Sequence, residues 1–503
     1  MKYRLICLAA VAAMLAGVLF LQNYESKPNR YHQHLENKPY TPCTDHGDDV
    51  FCTHLPLFNI VTDDSVPDPF LYDDNGNVLS DAKGNAVNNT ETVTATISFF
   101  LNEEGNNHLG DEAVFEERAT IRTRGNLSRN FDKKGYLIKF TEQDMVTGKK
   151  VSIDGMAADS EWVLHGPFLD KTLIRNYLCY NLSGEIMDYA PNVRFCELIL
   201  NNEYMGVYLL VEIIIQHDNG RIFITETDPK LETTSYIVRV DRGASDELHS
   251  LSTFASYMYI NPGPTAVEGQ LEIKYPGKSL TQEQHDYIAN DISKFEKALS
   301  SFDYTDRSKG YRQYIDVDSF VDFFLINEFT LNYDAPYYST YLYKDIREKL
   351  RLCVWDFNSA FDYYKLSSIS PETFRMQSTM WYQYLFKDKS FVDDVIDRYY
   401  ELRETYFNEA YLFQYIDETV AYLGPAVERN FEKWGYSFGT EYDYLRPAER
   451  NVRSYDEAIA QVKDCISNRI DHMDSNLDRL YYLCHGSTNK VYNYDSNSKG
   501  ALQ

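Results

Sequence analysis

The chain has 503 residues, of which 44% are hydrophobic, and a formal net charge of −27 at neutral pH. The hydrophobic share supplies a large core and excludes a globally disordered chain. The negative charge argues against partners that require a basic surface, namely nucleic acids and anionic membrane faces. An acidic surface of this kind is typical of a soluble exported protein. It is still compatible with a nucleotide, because a divalent cation and local basic residues can offset the phosphates.

The N-terminus carries a targeting pattern. Lys2 and Arg4 precede an uncharged run over residues 5–21, and a polar stretch follows. Positive charge before the run predicts a cytoplasmic N-terminus with the rest of the chain exported. Residues 1–25 are therefore predicted to be a signal anchor or a cleaved signal peptide, because the run is near the short limit for a spanning helix. The chain is expected to contact a membrane only through this segment.

Export makes disulfides chemically accessible. Cys43 and Cys52 bracket a short polar loop and form a candidate disulfide pair. Most of the other cysteines lie in apolar contexts and are predicted to be buried thiols. The sequence contains no C-x-x-C pair and no local His/Cys cluster that would predict a zinc site.

Composition divides the N-terminal part of the chain. Residues 26–54 are polar and predict a tether. Residues 55–115 alternate between Thr and apolar side chains in places and predict the strands of a small sheet or half-sandwich. At the other end, the Asn/Ser/Gly-rich residues 486–503 predict a loose tail.

A cationic hairpin is predicted over residues 117–140. Arg122 and Arg124 lie on one face of its first strand by period-two alternation, and Lys139 lies inside the second strand. Gly125 allows close approach of the backbone. Arginine donors, a glycine turn and a strand lysine are what a phosphate-binding cradle requires. The alternative is that these arginines pair with nearby carboxylates.

The next elements follow the order found in a kinase N-lobe, which is an analogy at the level of the fold. A helix from Lys171 to Met187 precedes the strands RFCELILN and GVYLLVEII. Glu212 ends the last strand, either beside an adenine pocket or in a salt bridge. The helix offers only Glu185 as a partner for a strand lysine, at a position unsuited to that role. Further on, TQEQ at 281–284 predicts the capped start of an amphipathic helix.

The central stretch, residues 316–362, places two aspartates at the ends of regular elements. A helix over 317–329 leads to a loop with Asp334, then strands are predicted over 340–343 and 350–354, followed by Asp356. Protein kinases place their catalytic base and magnesium ligand in this order, with an Asn five residues after the base. Ser339 stands at that position here, and its hydroxyl is a weaker ligand.

Six ordered blocks resemble the spore coat protein H (CotH) kinase family. They include TIRTRGNLS with KKGYLIKF, EWVLHGPFLDKTLIRNYLCYNL, NYDAPYYSTYLYKD and KLRLCVWDFNSAF. The resemblance implies an α+β, bilobal, protein-kinase-like fold over residues 116–485, with a β-rich N-lobe (116–216) and a helical C-lobe (217–485). It also implies binding of ATP with Mg²⁺ or Mn²⁺, and phosphorylation of extracytoplasmic protein substrates, which in spore formers are coat proteins.

The resemblance assigns roles by position. Asp334 would accept the proton of the substrate hydroxyl, and Asp356 would hold the metal, with Ser339 and Asn358 as further candidate ligands. The residues expected to contact ATP are Lys139 or, less favoured, Lys134, together with Arg122, Arg124 and Glu212.

Two departures from the family pattern keep other functions open. The family often has Asp and Gly where this chain has Asn358 and Asp362. A catalytically impaired, kinase-like surface-binding or adhesive protein is therefore the main alternative to a kinase. A third hypothesis is that Asp334 and Asp356 form the acid/base pair of a glycosidase. This hypothesis gives the cationic hairpin no function. Another transfer from ATP, such as that of AMP, also stays open.

Overall fold

The computed structural model describes residues 30–36, 40–43, 51–80, 86–102, 105–217, 221–244, 246–257, 270–363 and 370–484. The predicted signal anchor or signal peptide and the predicted loose tail lie outside these residues. Within the described ranges, no helix combines the length and the apolar character needed to cross a bilayer.

The described strands, β1 to β16 in chain order, are Cys52–Thr53, Leu57–Thr62, Val93–Phe100, Asn107–His108, Phe115–Arg124, Gly135–Phe140, Val151–Ile153, Met156–Asp159, Glu161–His165, Val193–Leu200, Glu203–Glu212, Tyr236–Asp241, Ser250–Leu251, Gln270–Tyr275, Thr340–Lys344 and Arg351–Val354. The described α-helices, α1 to α10, are Gln33–Glu36, Arg175–Ile186, Phe254–Tyr257, Gln282–Leu299, Val317–Phe329, Tyr382–Leu385, Lys389–Arg403, Glu409–Leu423, Pro425–Trp434 and Tyr455–Asn476. The predicted α+β class is confirmed.

The N-terminal strands form a closed barrel in the order β10-β11-β9-β6-β5-β3-β2. All neighbours are antiparallel except β2 and β10, whose parallel pairing closes the barrel between residues 57–60 and 197–200. Alternate side chains fill the interior with apolar groups such as Phe58, Ile97 and Trp162. The intervening side chains of β5 and β6 point outward, which places the cationic residues of the hairpin on the outer face.

The strands predicted over residues 55–115 include β2 and β3, but these two belong to this barrel and not to a small sheet or half-sandwich of their own. The position taken as the start of the next domain, residue 116, falls inside β5. Alternation along one strand shows which face is buried but does not identify the neighbouring strand. The closing pair joins segments that are far apart in sequence, so the local pattern could not reveal it.

Residues 30–36, within the predicted tether, are packed against the domain. The side chain of Gln33 forms two hydrogen bonds with the backbone of Phe195, donating at 3.1 Å and accepting at 2.7 Å. His34 Nδ1 lies 2.8 Å from the hydroxyl of Tyr177 on α2. Because these contacts are polar, the polar composition of the segment wrongly predicted an unpacked chain.

A second sheet, in the order β13-β14-β12-β15-β16, is antiparallel throughout and carries the central stretch. Helix α5 packs on it, and Ser319 Oγ accepts a hydrogen bond of 2.9 Å from the backbone N–H of Leu352 in β16. One continuous apolar core joins α2, this sheet and the C-terminal helices. The sheet and α2 are therefore held as one packed unit around the loops that follow α5 and β16.

A buried ion pair connects α5 to the C-terminal helix α10. Glu328 and Arg469 are 2.5 Å apart, and both side chains are almost fully excluded from solvent. Glu328 also accepts hydrogen bonds from the backbone N–H groups of Arg375 and Met376. Removing one partner of such a pair leaves the other charge buried without compensation.

We expect Arg469→Met to lower the free energy of unfolding by about 3–5 kcal/mol for this reason. The matched control is Lys389→Met, which breaks the exposed Lys389–Asp393 pair of α7 and should cost under about 0.5 kcal/mol. Urea unfolding followed by fluorescence measures both differences. Similar, small shifts for the two variants would contradict the structural role of the buried pair.

Candidate active site

The central stretch folds as its pattern predicts. Helix α5 spans Val317–Phe329, and Asp316 caps it by accepting a hydrogen bond from the backbone N–H of Ser319. The loop that follows carries Asp334, whose carbonyl accepts from the N–H of Tyr338 at 2.8 Å. Strands β15 and β16 then lead to Asp356. The predicted order of helix, loop, hairpin and second aspartate is confirmed.

Asp356 adopts a left-handed backbone conformation, with φ at 64°. A non-glycine residue persists there only where its surroundings hold it. Its N–H donates to the hydroxyl of Tyr180 at 2.9 Å, and its carbonyl accepts from Asn332 Nδ2 at 3.1 Å. Its carboxylate accepts from the N–H of Asn358 at 3.0 Å. These contacts fix the direction in which the carboxylate points.

Helix α2 supplies a second set of contacts to the same loop through Asn176. The amide oxygen of Asn176 accepts from the N–H of Phe357 at 2.9 Å, and its Nδ2 donates to the Oδ1 of Asn358 at 2.8 Å. The same Nδ2 lies 3.2 Å from the Nε2 of His165, at the end of β9. Burial lowers the pKa of His165 to about 4, so the ring is neutral and its Nε2 accepts.

The carboxylates of Asp334 and Asp356 interact electrostatically. Burial, followed by the negative charge of Asp356, raises the pKa of Asp334 to about 7. Arg242 and Arg375 act in the opposite direction. Burial also raises the pKa of Asp356, which the nearby Arg124 partly offsets. The structure therefore brings the two predicted aspartates into one site, with a cation of the hairpin beside them.

The hairpin presents its cations on one outer face. Arg122 and Arg124 alternate along β5, and Thr120 lies opposite Lys139 on β6. The guanidinium of Arg124 lies 5.6 Å from the centroid of the Trp355 ring, next to Asp356 in the chain. Burial, and then the charge of Arg124, lower the pKa of Arg122. The two arginines thus lie close together, and Arg124 is the one whose charge acts on Asp356.

Lys139 and Lys134 have different surroundings. Lys139 Nζ lies 3.6 Å from Glu161 on the neighbouring strand β9, and its side chain is 38% exposed. Lys134 Nζ donates to the backbone carbonyl of Arg129 at 2.8 Å, within the hairpin loop. Of the two lysines, Lys139 is on the outer face with the arginines.

Glu212 and Asn358, two of the predicted site residues, have structural partners. Glu212 is fully buried and accepts from the backbone N–H of Asn192 at 2.9 Å. Burial raises its pKa, which Arg221 partly offsets. The Oδ1 of Asn358 is engaged by Asn176, as described above. Ser339, with φ at 52°, immediately precedes β15. It therefore ends the loop that carries Asp334.

Three charged residues of the site were missed by sequence reasoning. Asp241 ends β12, the strand that pairs with β15, and its charge acts on the pKa of both Asp334 and Asp356. The guanidinium of Arg242 lies 4.4 Å from the ring centroid of Tyr338. The sequence did offer a pattern for Asp241 and Arg242, since both charged residues directly follow the buried segment YIVRV. Arg375, from the segment after β16, has no local pattern that indicates its place.

Cys43 and Cys52, the candidate disulfide pair, lie together with both thiols free. His108, which is distant in sequence, joins them, and its Nε2 is 3.5 Å from the Sγ of Cys43. The absence of a local His/Cys cluster in the sequence was therefore misleading, because the fold assembles one from three separate segments.

The acidic site fits a hard divalent cation with phosphate oxygens. Asp334, Asp356 and Asp241 provide carboxylate oxygens, the ligand type that Mg²⁺ and Mn²⁺ prefer. Among the described residues these three do not form a compact three-ligand cluster. Mg²⁺ in phosphoryl-transfer sites is commonly held by one or two carboxylates, water and the phosphates themselves, and this arrangement of acids and arginines suits that mode.

The fold and the site define an α+β protein in which one aspartate follows a helix and a second follows a β-hairpin. A family model described as CotH kinase protein matches residues 121–473, more than half of the chain, and the chain belongs to that family. It is also similar to the inner spore coat protein H of Bacillus subtilis (strain 168), with 22% identity over 242 residues. That similarity covers 48% of this chain and 58% of the relative, so the chain spans less than two thirds of the relative's length.

The raised pKa of Asp334 predicts a pH dependence of stability. Between the unfolded value, about 3.9, and the folded value, about 7, the folded state binds more protons than the unfolded state. The stability of the wild type therefore falls as pH rises through this window. Asp334→Asn removes this titration, so its melting temperature should rise relative to the wild type from about pH 4.5 to about pH 8.

Differential scanning calorimetry at the two pH values checks this expectation. Asp397→Asn, at an exposed position on α7, controls for the loss of a surface carboxylate. A difference between Asp334→Asn and the wild type that stays constant, or reverses with pH, would contradict the raised pKa.

Proposed function

We propose that this protein is an exported atypical protein kinase, which transfers the γ-phosphate of ATP to extracytoplasmic protein substrates. The observation that carries the proposal is the meeting of the two aspartate loops: Asn332, two residues before Asp334, donates to the carbonyl of Asp356 at 3.1 Å, and Arg124 lies 5.6 Å from the ring centroid of the adjacent Trp355. Phosphoryl transfer requires mainly positioning and neutralisation of charge, which two carboxylates, a divalent cation and several basic groups supply. The match to the CotH kinase family supports the same reading.

Asp334 is the proposed base. A carboxylate with a pKa of about 7 can accept the proton of a substrate hydroxyl near neutral pH without being fully protonated beforehand. Asp356 is the proposed ligand of Mg²⁺ or Mn²⁺, and its constrained backbone favours a fixed ligand direction. When bound, the cation would neutralise part of the charge on the nucleotide phosphates.

The outer face of the hairpin is the proposed phosphate-binding side. Arg122 and Arg124 offer planar donors, and Lys139 offers a point charge. In a kinase-like bilobal arrangement, the barrel that carries this face would cover the nucleotide, and the second sheet would present the aspartates from below. Glu212 is fully enclosed by protein, so it is a weaker candidate for an adenine contact than the sequence pattern indicated.

The location of the proposed activity follows from the N-terminal pattern. A signal anchor or signal peptide in residues 1–25 would place the domain outside the cytoplasm. The name of the B. subtilis relative refers to the inner spore coat, and coat proteins are candidate substrates if this chain acts in a spore former. Because the similarity covers only part of the relative, the substrate belongs to the proposal as well.

A second candidate function is a kinase-like binding protein with impaired catalysis. Asn358 stands where the family often has Asp, and its side-chain oxygen already accepts a hydrogen bond from Asn176. Ser339 replaces the asparagine that kinases use for a second metal. Both features weaken metal binding at the site, and the experiment below separates the two functions.

We expect Asp334→Asn to reduce turnover by roughly 10²–10⁴-fold, the usual contribution of a general base, while ATP affinity changes little. Asp356→Ala should instead weaken metal-dependent ATP binding by about tenfold or more, about 1.4 kcal/mol. Radiolabelled ATP with Mg²⁺ or Mn²⁺ measures transfer, and calorimetry with the nucleotide measures binding. Asp397→Asn serves as the surface control.

Equal, small effects of the two variants would overturn the assigned roles. ATP binding without any transfer to protein would favour the impaired binding protein. Transfer of label from the α-phosphate rather than the γ-phosphate would show that the nucleotide is used for AMP transfer instead.

The two lysines provide a further test of the phosphate side. Lys139→Ala should weaken ATP binding by about tenfold, because its ammonium group lies on the face with the arginines. Lys134→Ala is the matched control, because the Nζ of Lys134 donates to the carbonyl of Arg129. This variant is expected to leave ATP affinity nearly unchanged. Calorimetric titration of both variants with ATP and Mn²⁺ makes the comparison. The opposite order of effects would assign the phosphate contact to Lys134.

A further inference from the structure

We propose that Cys43, Cys52 and His108 form a zinc site that joins the segment before the barrel to the barrel itself. One ligand atom of each residue lies within 4.8 Å of the others. This proposal concerns a region that the phosphoryl-transfer site does not use, and it holds whether or not the protein is an active kinase.

The spacing suits tetrahedral zinc. With Zn–S near 2.3 Å and Zn–N near 2.0–2.1 Å, a tetrahedral site separates a sulfur and a nitrogen ligand by about 3.6 Å. The Sγ of Cys43 and the Nε2 of His108 are 3.5 Å apart. Two cysteines and one histidine are a common zinc ligand set, which leaves one coordination position for water or another donor.

Regular structure positions two of the ligands. Cys52 on β1 is the cross-strand partner of His108 on β4. The third ligand, Cys43, is held near them by Asn106. The Nδ2 of Asn106 donates at 3.0 Å to the backbone carbonyl of Thr41, two residues before Cys43. The three ligands therefore come from separate segments that the backbone already holds together.

The orientation of His108 matches that of a metal ligand. Its Nδ1 lies 3.1 Å from Oδ2 of Asp111, which also accepts from the backbone N–H of His108 at 2.8 Å. A carboxylate on Nδ1 fixes the ring and leaves Nε2 as the basic nitrogen directed at the sulfurs. A disulfide between Cys43 and Cys52, the rival in an exported protein, would require neither His108 nor Asp111.

The experiment uses the full chain, purified with and without added Zn²⁺ and dialysed under argon into zinc-free buffer. We expect one zinc per chain by elemental mass spectrometry, and a thiolate-to-metal charge-transfer band after exchange with Co²⁺. His108→Ala should lower zinc affinity at least tenfold and shift the visible bands of bound Co²⁺, because the metal loses a nitrogen ligand while both thiolates remain. Asp111→Asn should lower the affinity by about 10–100-fold, the usual effect of losing such a partner.

His249→Ala is the matched control. His249 pairs with Asp246 three residues before it, at 2.8 Å, in the same kind of His–Asp contact but outside the cysteine cluster. This variant should keep the zinc content and the cobalt band of the wild type. Because His108→Ala and Asp111→Asn leave both cysteines in place, the test does not depend on a cysteine variant that folds.

Two results would overturn the proposal. One is a Cys43–Cys52 disulfide, detected by peptide mass spectrometry in protein purified without reductant, together with zinc content near zero after purification under argon. The other is an unchanged zinc affinity and an unchanged cobalt spectrum in His108→Ala, which would place the metal elsewhere in the chain.

Discussion

The amide of Asn176 is the interaction on which the candidate site depends. This single buried side chain on α2 reaches the loop after β16 through Phe357 and Asn358, and the barrel through His165. Tyr180, one helical turn further on, holds the N–H of Asp356. The helix thereby connects the barrel, which carries the cations, to the loop that carries the metal-ligand candidate. The Arg124–Trp355 contact also joins the two halves, but a cation over a ring fixes the direction of the Asp356 loop less closely than these hydrogen bonds do.

The network is built from neutral groups, and this has an electrostatic consequence. A charged anchor beside Asp356 would either neutralise the carboxylate or repel it, and both would change its affinity for a cation. Amide and hydroxyl groups satisfy the backbone of a strained residue without adding net charge. The charges that remain near the aspartates are then those of Arg124, Arg242, Arg375 and Asp241. Together with Asp334 and Asp356, these groups amount to three carboxylates and three guanidiniums, so their formal charges balance before a cation or a phosphate binds.

Local patterns in the sequence predicted much of this arrangement, for identifiable reasons. The capping box of Thr281 and Gln284, the helix over 317–329 and the alternation of Arg122 and Arg124 all act over a few residues, and the structure has each of them. The closure of the barrel, the docking of Gln33 and the meeting of Cys52 with His108 depend on residues far apart in the chain. Periodicity carries no information about such partners. Asp241 was predictable only in part. The sequence indicates that it ends a buried strand, but it does not indicate that this strand pairs with β15 beside the site.

The position of α2 also separates this protein from the usual control of protein kinases. In those enzymes a strand lysine pairs with a glutamate of the helix, and movement of the helix makes or breaks that pair. Here the carboxylate next to Lys139 is Glu161 on the adjacent strand, whereas Glu185, at the end of α2, contacts His32 and the hydroxyl of Tyr406. The helix is bound to the loop of Asp356 by several neutral hydrogen bonds, each worth about 0.5–1.5 kcal/mol. Moving the helix away would therefore displace the aspartate with it, so the geometry favours a site that is assembled before any ligand arrives.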